Sequence, residues 1–209
     1  VGVILIMYWL IAHSRLEIEH TILHFGFFSF MIGIWSINES GALMTIIPIR
    51  AVCVFVSAIS LMLMTPTFVR FVKCFWRVPD RWISDVICIL AFMNIFVQLI
   101  LQLTGIRGFR QMFTPTHILL GMALMYMAGA TVYSIWKRGM EHQVLVSILG
   151  IIVMAGVVCL DLIYFYFGAF QNLHISNFGV LIYICILAQE ALKQTISQAD
   201  KARKLEFYR

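Results

Sequence analysis

The stretch WISDVICILAFMNIFVQLILQL, residues 82–103, carries one charge, Asp85 near its start, and is otherwise apolar except for a serine, a cysteine and three amides. A membrane-spanning helix needs about 20 mostly apolar residues, because the hydrocarbon layer is about 30 Å thick and a helix rises about 1.5 Å per residue. This run has that length. Six more runs almost free of charge flank it, over residues 1–12, 21–37, 49–72, 117–136, 144–167 and 175–192. The first is too short to cross and the chain opens without a Met, so the expectation is a helix cut by the start of the sequence. It lacks the basic flank and small-residue cleavage site of a signal peptide.

The whole chain agrees with this reading. Of 209 residues 62% are hydrophobic and 12% charged, with a mean hydropathy of +0.94. Soluble domains carry roughly 25% charged residues, and one soluble core of this length could not hide so much apolar surface. No stretch alternates apolar and polar like a barrel strand, which rejects a transmembrane β-barrel. Asn38-Glu39-Ser40-Gly41, Val78-Pro79-Asp80 and Arg138-Gly139 read as stops between runs. Pro66 lies inside the third run and is expected to kink that helix or end its regular part. The fold expected is an all-α bundle of seven transmembrane helices, the first truncated.

Orientation follows from Lys and Arg, which gather in cytoplasmic loops. With the C-terminus inside, the inner side holds Arg15, Arg70, Lys73, Arg77, Arg81, Lys137, Arg138, Lys193, Lys201, Arg203, Lys204 and Arg209, and the outer side holds Arg50, Arg107 and Arg110. Seven spans then place the N-terminus outside a cell membrane crossed several times. The net charge of +5 reflects this topology. Because its cations are dispersed over separate loops, it does not indicate a nucleic-acid partner. The partner expected is the lipid bilayer.

Ionisable groups within spans are costly and usually face the bundle or a water cavity. Asp161 lies deep in the sixth run, either as a ligand, proton or coupling site or as a carboxyl that holds a neighbouring helix. Asn94, Gln98 and Gln102 recur every four residues on one face of the fourth run, either lining a polar cavity or joining helices by hydrogen bonds. His117 follows Pro115 near the outer surface, as an interfacial residue or a pH-sensitive one. Gly26, Ser29, Gly33 and Ser36 form a small-residue face that lets another helix approach closely. Trp35, Trp76, Trp82 and Trp136 fall near span ends, where aromatic rings anchor at the interface.

Enzyme chemistry has little to stand on. Cys53, Cys74, Cys88, Cys159 and Cys185 show no CxxC spacing, which reads as reduced thiols without a disulfide framework or metal site. His20 and His24 stand one turn apart without an HExxH motif, and a solvated inner loop fits them better. There is no Gly-rich phosphate loop, no GxSxG and no paired-carboxylate motif, so neither a catalytic residue nor a cofactor is expected. Lys193 lies beyond the middle of the seventh run, so a retinal Schiff base has no mid-membrane lysine.

The tail QEALKQTISQADKARKLEFYR, residues 189–209, has no Gly or Pro and is rich in helix formers. Leu192, Thr195, Ala199 and Ala202 follow a 3-4-3 spacing compatible with a short coiled-coil seam. The chain divides on this reading into a transmembrane domain, residues 1–192, and a cytoplasmic signalling-helix linker, residues 193–209. Paired tails would make a homodimer.

These stretches resemble the membrane domain of the bacterial seven-transmembrane receptors with diverse intracellular signalling modules. The matching residues are FGFFSFMIGIWSINESG over the second run and its exit and SAISLMLMTPTFVRFV over the third. The tail ALKQTISQADKARKLEFYR is similar to the helix that leads into a GGDEF diguanylate cyclase domain in many such proteins. The resemblance implies a sensor-transducer that responds to an unidentified small-molecule ligand or an extracellular sensor domain, with a cyclase, histidine kinase or phosphatase beyond Arg209. It carries over no ligand residues position by position. A small transporter or channel subunit with a polar path near Asp161 is the alternative, and a structural anchor is a third reading.

Overall fold

The computed structural model describes residues 2–13, 21–76, 78–79, 82–105 and 113–138, with scattered positions between 145 and 193. Among the described residues six helices run in order: α1 (Gly2–His13), α2 (Thr21–Glu39), α3 (Ala42–Ile46), α4 (Arg50–Trp76), α5 (Ile83–Leu103) and α6 (Phe113–Arg138). Among the described residues there is no strand. Among the described residues four helices are long and apolar enough to cross a membrane: α2 with 19 residues, α4 with 27, α5 with 21 and α6 over Phe113–Lys137 with 25. They coincide with the second to fifth apolar runs. With 12 residues, α1 reaches about 18 Å, short of the hydrocarbon thickness. The sixth and seventh runs lie mostly outside the described residues, although positions 145, 148–150, 152–153, 156, 160, 163, 184–186 and 188–189 are helical.

The spanning helices alternate in direction. Phe25 of α2 meets Phe71 of α4, and Arg70 of α4 meets Asp85 of α5, so both neighbours run antiparallel to α4. Phe113 near the start of α6 packs beside Ala58 and Met62 in the first half of α4, so α6 runs parallel to it. Thr21, Trp76 and Ile83 therefore share one end of the bundle, and Glu39, Arg50, Leu103 and Phe113 share the other. Arg70, Lys73 and Lys137 all belong to the first end.

Helix α4 is the hub, packed by α2, α5 and α6. Lipid tails are as apolar as Leu, so burial alone does not draw helices together in a bilayer. Close van der Waals fit and interhelical hydrogen bonds do. The fit here is aromatic. Phe25 and Phe28 of α2 face Phe71 and Phe68 of α4 at ring-centroid distances of 5.0 and 4.9 Å, and Phe71 and Phe75 stand 5.3 Å apart. Each such pair contributes about 0.5–1.5 kcal/mol beyond its area. Ile184 and Ala188, one turn apart in the seventh run, belong to the same buried cluster.

The face turned from this core suits lipid. On α5, Ile89, Phe92, Met93, Phe96, Val97 and Ile100 are all exposed, at helical spacings that form one continuous apolar stripe. Such a stripe exceeds what water tolerates on a monomer.

The structure bears on three local expectations. Pro66 does not end its helix: α4 runs through it from Arg50 to Trp76. Pro66 is buried where α4 is packed by its neighbours, and in spanning helices such packing and side-chain hydroxyls compensate for the missing N–H. Trp76 is no interfacial anchor: at 4% exposure it caps the aromatic core, edge-on to Phe75, whereas Trp82 and Trp136 are 76% and 84% exposed. Trp35 is partly buried against the core. The small-residue face on α2 is used only at its first half. A Cβ on Gly26 would lie 2.9 Å from Ile6 Cγ1, and one on Gly2 only 2.5 Å from the backbone N of Phe30, so α1 and α2 touch there. Around Gly33 nothing among the described residues comes within 4 Å.

The stop at Asn38-Glu39-Ser40-Gly41 is present. Gly41 takes φ 75°, a left-handed conformation that Gly adopts without a Cβ penalty. The backbone then enters α3, a one-turn helix that the apolar pattern does not announce.

Candidate functional site

The amide stripe on α5 meets a partner that lies on α6. Asn94 Nδ2 and Gln98 Nε2 each donate to Thr116 Oγ1 at 3.0 Å, and Gln98 Nε2 also donates to Asn94 Oδ1 at 2.9 Å. Gln98 and Thr116 are each 2% exposed. The four-residue repeat puts both amides on one face, and the packing of α6 on α5 brings Thr116 within reach of both. Gln98 Oε1 is buried with no hydrogen-bond partner among the described residues. Thr116 went unrecognised in the sequence because it stands just before the fifth run and carries no pattern of its own.

His117, next in the chain, is half-buried with its ring 6.2 Å from that of Phe113. It is not joined to the Asn94–Gln98–Thr116 network by any of these bonds. Gln102, the third member of the stripe, diverges from it. Gln102 lines a cavity of about 510 Å³ between the ends of α4 and α5, with Arg50, Ala51, Val54 and Phe55.

A second polar cluster joins the same two helices at their other end. Arg70 Nη1 lies 3.0 Å from Asp85 Oδ1, and Lys73 Nζ lies 3.9 Å from the same oxygen. Lys73 Nζ also donates to the fully buried Ser84 Oγ at 2.8 Å. Deeper in, Cys88 Sγ approaches Pro66 O at 3.8 Å. The sequence did not single out this clamp, because Asp85 meets its cations only across a helix pair.

Asp161 lies outside the described residues, as do Leu192, Thr195, Ala199 and Ala202 of the expected tail seam. Of the linker, residues 193–209, only Lys193 is described, as helical and exposed.

Chemically, the α5–α6 network acts as a fastener. Among the described residues its donors are spent on one another. The two ends of the α4–α5 pair differ: one is closed by an ion pair, the other parts around Arg50. No protein-family model matches this chain, and neither a curated protein nor a solved structure matches it.

Proposed function

We propose that this chain is the membrane domain of a bacterial sensor-transducer, with seven spans, an outer N-terminus and a cytoplasmic C-terminus. A stimulus would favour one arrangement of the bundle over another. The seventh helix and its tail would carry that change to an output module, a diguanylate cyclase first and a histidine kinase second. Paired tails would make the working unit a homodimer.

The observation that supports this reading most is the placement of Ile184 and Ala188. Both are buried in the cluster that holds Phe25, Phe28, Phe68 and Phe71, and they stand just before the helix-forming tail at 189–209. A rearrangement of the aromatic core would therefore press directly on the segment that leads out of the bilayer. The excess of basic residues on one side of the bundle supports the same orientation. Transport is the weaker reading, because Asn94 and Gln98 on α5 are engaged with one another and with Thr116.

The test is a series of alanine insertions after Glu190 in the full-length gene product, with cyclic dinucleotide synthesis or autophosphorylation as readout. Output that rises and falls with the helical repeat of about 3.6 residues supports a rigid mechanical link. Output that stays flat across the series, or a gene product without an output module, overturns it.

A further inference from the structure

Two arginines on α4 mark the faces of the bilayer. Arg50 and Arg70 are separated by about 30 Å of helix, the thickness of the hydrocarbon layer. Apart from the thiol of Cys53, no ionisable group lies between them. Their surroundings differ. Arg70 faces Asp85, whereas Arg50 makes no hydrogen bond or ion pair with any described residue.

At the level of Arg50 the two helices part. The cavity of about 510 Å³ there has Ala51, Val54 and Phe55 as its α4 wall and Gln102 opposite on α5. Toward mid-membrane it is closed, because Ala58 and Met62 are fully packed against Ile95, Leu99 and Phe113. The groove thus presents a cation at headgroup depth, an apolar wall beneath it, and a floor one to two turns deeper.

We infer that this groove is a phospholipid site, with the Arg50 guanidinium on the lipid phosphate and the upper part of an acyl chain against Val54 and Phe55. The order of polarity along the groove is that of a phospholipid lying along the helices. A guanidinium offers a planar fork of donors that matches phosphate oxygens bidentately. A negatively charged headgroup adds long-range attraction to that contact. The occupant comes from the leaflet at the Arg50 end, since the groove opens to it and is sealed from the other.

Native mass spectrometry of the whole chain released from detergent tests this, with phosphatidylglycerol, phosphatidylcholine, diacylglycerol and inorganic phosphate added separately. Phosphatidylglycerol adducts are expected to outlast phosphatidylcholine adducts, and diacylglycerol, which lacks the phosphate, is expected to leave none. Arg50→Gln should lower phosphatidylglycerol occupancy about tenfold, the worth of a charge-assisted hydrogen bond, and Arg50→Lys should restore part of it. Ala51→Trp, which fills the groove and keeps the charge, should also remove the adduct, so the proposal does not hang on one variant. Equal adducts in the wild type and in folded Arg50→Gln and Ala51→Trp variants would overturn the site. Diacylglycerol held as well as phosphatidylglycerol would overturn the phosphate contact. Binding of inorganic phosphate that blocks no lipid adduct would overturn the lipid as occupant.

Discussion

The side-chain amide of Gln98 on α5 reaches the hydroxyl of Thr116 on α6 across 3.0 Å, in a place where both residues are sealed from solvent. With Asn94 bound to the same hydroxyl, the two helices are pinned at one level of the bundle. Interhelical hydrogen bonds of this kind contribute about 0.6–2 kcal/mol each in membranes.

Gln98→Leu and Thr116→Val should each destabilise the bundle by about 1 kcal/mol, read from unfolding in mixed micelles. The double variant should cost less than the sum, since each single change removes the same bond. Additive losses would show that the pair is not coupled.

Gly2→Ala should separate α1 from α2 more than Gly26→Ala does. The Cβ at Gly2 meets backbone atoms of Phe30 and Gly26, whereas the closest atom to the Cβ at Gly26 is the side-chain Cγ1 of Ile6, which can turn away. The expected cost at Gly2 is about 1–3 kcal/mol, as for overpacking elsewhere. Cysteine cross-linking between the two helices would report the separation, and an unchanged yield would count against the close contact.

Phe71→Ala should cost about 3–5 kcal/mol, because it removes a buried ring that touches Phe25, Phe28 and Phe75. Phe92→Ala, on the exposed face of α5, should change stability by no more than about 0.5 kcal/mol. Comparable losses at the two positions, measured in the same micelles, would mean that the aromatic cluster is not the core.

Asp85→Asn should weaken the α4–α5 clamp by no more than about 1 kcal/mol, because both partners of the Arg70–Asp85 pair are more than two-fifths exposed and water screens them. Exchanging the two residues, Arg70→Asp with Asp85→Arg, should restore most of that loss. The loss should also shrink as salt is raised. A loss of several kcal/mol that salt leaves unchanged would contradict a screened surface pair.

The apolar runs at 21–37, 49–72, 82–103 and 117–136 correspond to α2, α4, α5 and α6 with ends displaced by a few residues. That much is legible because the cost of placing a charge or an unbonded peptide group in hydrocarbon acts along one dimension, the length of the run. The turn at Gly41 is legible for a local reason, its left-handed backbone. Candidate site residues are a different matter. Asn94 and Gln98 could be placed on one face from their spacing, but the choice between a cavity and a fastener depended on what stood opposite.

What the sequence by itself determined is therefore the all-helical class, the position of four helices long and apolar enough to span, and the shared face of Asn94 and Gln98. Only the tertiary structure decided that Thr116 receives those amides, that Trp76 turns into the core instead of toward the interface, and that α4 passes through Pro66 unbroken. It also decided that α4 and α5 close at Arg70–Asp85 and open at Arg50. The reason is physical: a run of apolar residues is equally at home against lipid or against another helix. Which face meets which is settled by close packing and by the pairing of the few polar groups, and both are properties of two helices together.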